Sequence, residues 1–135
     1  MSMPESRYDT GRARLLVSDL SPQQRYKLCN GCGSKGGPVP VPDFIWKDAC
    51  DQHDLDYWVG GNELDRLAAD RALLQSILLS SFTAETAWAR TRRKVAAHAY
   101  YWAVRAFGAR SFHYGKPRGW WEVVKECRPK GGKRA

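Results

Sequence analysis

The sequence predicts an all-α fold with three principal helices, and three observations carry that prediction. Apolar residues recur at three- and four-residue spacing through residues 43–58, 62–78 and 84–107. Helix-start chemistry stands at Ser21-Pro22, at Asp43 and at Asn62. The alternating apolar and polar residues of a half-buried strand are almost absent.

Taken in order, residues 1–14 read as a loose polar terminus with Pro4 and Gly11, and the first twenty residues as a flexible segment. Leu15, Leu16 and Val17 form a short apolar anchor within it. Ser21-Pro22-Gln23-Gln24 starts a short helix to about Leu28: Ser caps, Pro fits the first turn, and Gln24 can return a bond to the cap. Gly31, Gly33, Gly36 and Gly37, then Pro38, Pro40 and Pro42, exclude regular structure, and a long ordered loop in a small domain usually has a purpose. Asp43 caps a helix to about Trp58 whose Ile45, Trp46, Ala49, Cys50, His53 and Tyr57 form one stripe.

That helix ends at Gly60-Gly61. Asn62, with Asp65 at the box position, caps the next, and Leu64, Leu67, Ala68, Leu74, Ile77 and Leu78 are its expected buried face, with Asp70 on the edge. A long basic helix over Ala84–Phe107 follows, with Trp88, Val95, Ala99 and Trp102 as its expected inner face. A short helix is expected from Trp120 to Cys127. Residues 21–127 then form a single domain and 128–135 a disordered basic tail.

At 135 residues the chain suits one domain burying roughly two-thirds of its unfolded surface. No run of eighteen apolar residues exists, which excludes a membrane-spanning helix, and no signal-peptide pattern opens the chain. Charge is uneven. Residues 84–135 carry thirteen Lys or Arg against three Glu, and the first 83 carry nine against eleven acids. A basic C-terminal half suits a polyanionic partner such as an anionic membrane surface; no nucleic-acid module is present, so nucleic acid is not the expected partner.

The chemistry concentrates between Cys29 and Asp70. Two antiparallel helices joined by the short WVGGN turn bring His53 opposite Asp70, and a histidine oriented by a carboxylate is a general base. Asp54 projects about 100° from His53, toward the glycine loop, where a carboxylate beside free carbonyls is what calcium selects.

The combination GCGSKGG, DACDQHDLDY and ADRA resembles the calcium-dependent secreted phospholipase A2 superfamily, in particular its smaller bacterial and fungal branch, over about residues 29–80. The resemblance implies a phospholipase A2-like fold of two antiparallel active-site helices preceded by a Gly/Pro-rich loop. It implies His53 as the base that activates water, Asp70 as the group that holds the imidazole, and Tyr57 as a hydrogen-bonding partner of Asp70. It implies calcium bound by Asp54 with loop carbonyls, best matched by Gly31, Gly33 and Gly36. The reaction implied is hydrolysis of the sn-2 ester of a glycerophospholipid by a peripheral enzyme at a membrane surface. The family also pairs the cysteines at positions 32 and 50. This chain has Ser34-Lys35 where the family loop has one residue, and Ala49 and Asp56 where animal members carry cysteines.

Three other readings use the same residues. The chain is a non-catalytic lipid- or polyanion-binding module of the same fold, or a small interaction domain with zinc on Cys29, Cys32, Cys50 and His53, whose C-x2-C…C-x2-H spacing suits that metal. Alternatively, Asp70 is a plain interhelix ion pair with Arg66 or Arg71. Under oxidation, Cys32 with Cys50 and Cys29 with Cys127 account for all four thiols, and an extracellular location follows if they are so bonded. Trp120 and Trp121 beside Lys116, Arg118 and Lys125 suit either a lipid interface or a packed contact.

Overall fold

The computed structural model describes residues 14–29 and 43–128, the side chains of 43–46 excepted. Ile45 and Trp46, the glycine and cysteine positions 31, 32, 33 and 36, and the basic tail from 129 therefore lie outside the described side chains. Among the described residues the secondary structure is helical, without strands: α1 (Pro22–Leu28), α2 (Asp43–Val59), α3 (Glu63–Ser81), α4 (Ala87–Phe107) and α5 (Trp120–Glu126). Single 3-10 turns cover Val17–Asp19 and Gly108–Arg110.

The caps explain where the helices begin. Ser21 Oγ accepts from the Gln24 amide at 3.1 Å while Gln24 Oε1 accepts from the Ser21 amide at 2.8 Å. Asn62 and Asp65 make the same reciprocal pair at the head of α3, both bonds at 2.9 Å. α4 begins three residues later than the periodicity of the sequence predicts, because Thr86 caps it by accepting from the Ala89 amide at 3.0 Å. The α2–α3 turn is made by Gly60 (φ 79°) and Gly61 (φ 139°). Gly60 has no alternative, since a Cβ there would stand 2.0 Å from the His113 carbonyl oxygen.

α2 is the centre of the molecule and is buried on two sides. Toward α3 and α4, Cys50 packs with Leu73, Ile77, Ala97 and Tyr100. Toward α1 and α5, Leu55 and Val59 pack with Val17, Leu28, Cys29 and Val123. Polar groups on α2 fasten the segment before α1: Gln52 accepts from the Val17 amide at 3.0 Å and donates to the Leu15 carbonyl at 2.8 Å, and Arg14 pairs with buried Asp56. Residues 14–20, expected within a flexible terminus, are thus tied to the central helix. Arg25 and Lys47 both reach Asp51 Oδ2, at 2.7 and 2.9 Å, and Arg25 also pairs with Asp48.

Three expectations are corrected. The buried face of α3 centres on Ala69, Asp70, Leu73 and Ile77, while Leu64, Leu67, Ala68, Leu74 and Leu78 are half-buried. The inner face of α4 is the reverse of the expected one: Ala97 and Tyr100 are buried with Ala96 and Val104 beside them, whereas Trp88, Val95 and Trp102 are 64–70% exposed. Small side chains let α4 lie close against α3, and the tryptophans are left on the outside. Cys29 and Cys127 are not bridged; both are free thiols packed on the cluster around Leu55.

Leu55 is fully buried where α1, α2 and α5 meet. Leu55→Ala is expected to destabilise the chain by about 2–5 kcal/mol in urea unfolding. Gly60→Ala is expected to be destabilising as well, with a shift in midpoint and little change in slope.

Candidate active site

His53 lies near the middle of α2, seven residues before the glycine turn, and Asp70 lies two turns into α3. The hairpin closes them onto each other: His53 Nε2 is 2.7 Å from Asp70 Oδ1. Tyr57, one turn along α2, donates its hydroxyl to the same oxygen at 2.6 Å, and its ring stands 4.3 Å from the imidazole. All three are buried, at 7%, 0% and 6% exposure for His53, Asp70 and Tyr57. The structure therefore brings together the predicted base, its orienting carboxylate and the tyrosine.

The second carboxylate oxygen has a partner that sequence reasoning missed. Arg105, from α4, donates through Nη1 to Asp70 Oδ2 at 2.8 Å. Arg66 Nη1 stands 3.7 Å from the same oxygen and donates to the Val104 carbonyl at 3.1 Å, while its Nε donates to Glu63 at 2.8 Å. Glu63 extends the network to Arg105 at 3.2 Å and to the Tyr114 hydroxyl at 2.7 Å. Arg71 is exposed and takes no part. The overlooked signal was Arg105 itself, a single cation in the apolar run YYWAVRAF.

This arrangement decides the protonation of Asp70. Burial opposes its charge, but the bonds from His53 and Tyr57, and then from Arg105, outweigh that and hold the carboxyl below its ordinary value. Burial first, then Asp70 as acceptor, pushes the Tyr57 phenol well above its usual range, so it remains a donor. With Asp70 ionised and able only to accept, the imidazole donates through Nε2. Packing completes the cage: Phe112 meets Tyr57 edge-on at 5.1 Å, and a Cβ at Gly108 would come within 2.5 Å of the Tyr57 hydroxyl.

Asp54 is half-buried on α2, one residue beyond the histidine. Burial first, then the charges of Asp51 and Asp54, push the Cys29 thiol up to about 12. The proposed carbonyl ligands at Gly31, Gly33 and Gly36 lie outside the described residues. Among the described residues no group of three His, Cys, Asp or Glu side chains converges as a metal site.

Because the folded pKa of Asp70 is depressed, its pairing contributes stability above the unfolded carboxylate value, and that contribution is lost as pH falls through the folded one. Asp70→Asn is therefore expected to lower stability at neutral pH and to flatten the loss of stability on acidification. Urea unfolding midpoints measured between neutral pH and pH 2 check this, and an unchanged acid slope would refute the buried ion cluster. Comparison with protein-family models, with curated proteins and with solved structures finds no match to this chain.

Proposed function

We propose that this chain is a phospholipase A2-like, calcium-dependent hydrolase that cleaves the sn-2 ester of glycerophospholipids. The observation that carries the reading is the buried His53–Asp70 pair at 2.7 Å, with Tyr57 on the same carboxylate oxygen. A histidine packed only for structure needs neither an ionised carboxylate nor a second donor on that carboxylate. The Nδ1 lone pair of His53 takes a proton from water as the hydroxyl attacks the ester carbonyl, and the imidazolium returns it to the departing alkoxide. Asp70, fixed by Tyr57 and Arg105, holds the ring in one tautomer and balances the imidazolium charge without taking the proton.

Asp54 fits a hard cation, being a half-buried carboxylate one residue from the proposed base. It would hold calcium with the carbonyls of Gly31, Gly33 and Gly36; calcium, when bound, supplies the positive charge that polarises the ester carbonyl and holds the phosphate. A Cys32–Cys50 bridge belongs to the same reading. Its support is that Cys29 and Cys127 carry free thiols, so the reading needs neither of them for the bridge.

The zinc reading is weakened by the same geometry. Cys29 and Cys50 belong to different apolar clusters, and the His53 nitrogen facing α3 is taken by Asp70. A plain ion pair between Asp70 and arginine is present through Arg105, yet it occupies Oδ2 and leaves Oδ1 to His53 and Tyr57.

Fatty-acid release from phospholipid is expected to require calcium, to stop with EDTA, and to fall about 10²–10⁴-fold in His53→Gln. A pure sample that binds calcium and releases no fatty acid from any phospholipid class would leave the non-catalytic module as the reading. Tyr57→Phe removes one of two donors on Oδ1 and is expected to lower the rate less than His53→Gln does. An equal loss in the two variants would contradict the roles assigned.

A further inference from the structure

The reversed orientation of α4 leaves a surface that the proposed catalytic site does not use. At 100° per residue, Trp88, Val95, Ala99 and Trp102 fall within about 40° of one line along the helix, a stripe about 21 Å long. Trp88 is 70% exposed, Val95 64% and Trp102 65%, and Ala99 is exposed as well. Leu79 and Phe82, 66% and 71% exposed, lie at the α3–α4 turn, the end of α4 that carries Trp88. An apolar area of this extent is unusual on a free surface and marks a place of contact.

Charge identifies what the stripe meets. Between Asp70 and Glu122 the chain has nine Lys or Arg and a single acid, Glu85, and α4 itself has no acid. Arg92 flanks the stripe on one side, Lys94 and His98 on the other, all exposed. Arg92 and Lys94 have no ion-pair partner among the described residues, whereas Arg105 is turned inward onto Asp70. Indoles at the centre with cations at the rim is the order in which a membrane presents its own chemistry, acyl chains beneath a layer of phosphate. A nucleic-acid backbone asks for the cations at the centre. No described helix is long and apolar enough to cross a bilayer, so α4 suits lying along one.

We propose that the Trp88–Val95–Trp102 stripe is the face by which this chain adsorbs to an anionic phospholipid membrane, with α4 in the plane of the interface. The choice of lipid as partner rests on the phospholipid reading above; the choice of face rests on exposure and charge alone. Trp120 and Trp121, which the sequence offers as the lipid contact, are 44% and 69% exposed but sit on α5, a helix of seven residues.

The test is cosedimentation of the full chain with vesicles in EDTA, comparing phosphatidylglycerol-rich with pure phosphatidylcholine membranes. Binding is expected to the anionic vesicles only. It should weaken at least about tenfold in Trp88→Ser/Trp102→Ser, with thermal unfolding little changed because both side chains are exposed. Arg92→Gln/Lys94→Gln should lose at least about tenfold, since each cation near such a surface is worth roughly fivefold. Trp120→Ser/Trp121→Ser should bind as the parent does. The proposal is overturned if the Trp88/Trp102 variant binds normally, or if only the Trp120/Trp121 variant fails. It is overturned too if the parent is a dimer without vesicle affinity that dissociates in Trp88→Ser/Trp102→Ser. Hydrolysis of a soluble short-chain phospholipid, with calcium, separates the two claims. Vesicle binding without hydrolysis sinks the enzyme and keeps the face; hydrolysis without vesicle binding does the opposite.

Discussion

The structure depends on one carboxylate that has no access to water. Asp70 is 0% exposed, and an ion so placed costs several kcal/mol unless its lone pairs are satisfied. Two helices answer that demand on behalf of α3: α2 sends His53 and Tyr57 to one oxygen, and α4 sends Arg105 to the other. The packing of α2, α3 and α4 is therefore specified by polar geometry as much as by apolar area. A slip of any of the three by one turn would strand the charge. Glu63 and Arg66 extend the same logic outward to Tyr114, so the segment between α4 and α5 is tied to the cluster as well.

What could be read in advance follows from the range of the interactions. The caps at Ser21 and Asn62 are local, and each appears as its sequence signature implies. His53 opposite Asp70 was legible because a short glycine turn and two helical periods leave few ways to arrange a hairpin. Arg105 was not, since its role is fixed by how α4 docks. Periodicity identified the stripe at 88, 95, 99 and 102 but could not assign its side. Size misled there: tryptophan is read as core, whereas Ala97 gives the closer approach to α3. The loop from 30 to 42, carrying Gly31, Gly33 and Gly36, is legible only through the resemblance of its motif.

The far side of α2 carries two further buried acids. Asp51 and Asp56 are as inaccessible as Asp70, and they bind Arg25, Lys47 and Arg14. The central helix is thus clamped by charge on one flank to the segment before it and on the other to the two helices after it. Its histidine has little freedom to tilt, which is what the proposed role of His53 as a base requires.

The spacing of the site along the chain bears on how it comes together. His53 and Asp70 are 17 residues apart, whereas Arg105 joins across 35. Closing the longer segment costs only about 0.6 kcal/mol more per doubling, but it requires α4 to exist and dock, whereas the dyad requires only a helix, a turn and a helix. The hairpin of α2 and α3 is therefore the low-contact-order kernel of the molecule. The buried His53–Asp70 pair sits inside the part of the chain that topology allows to close first.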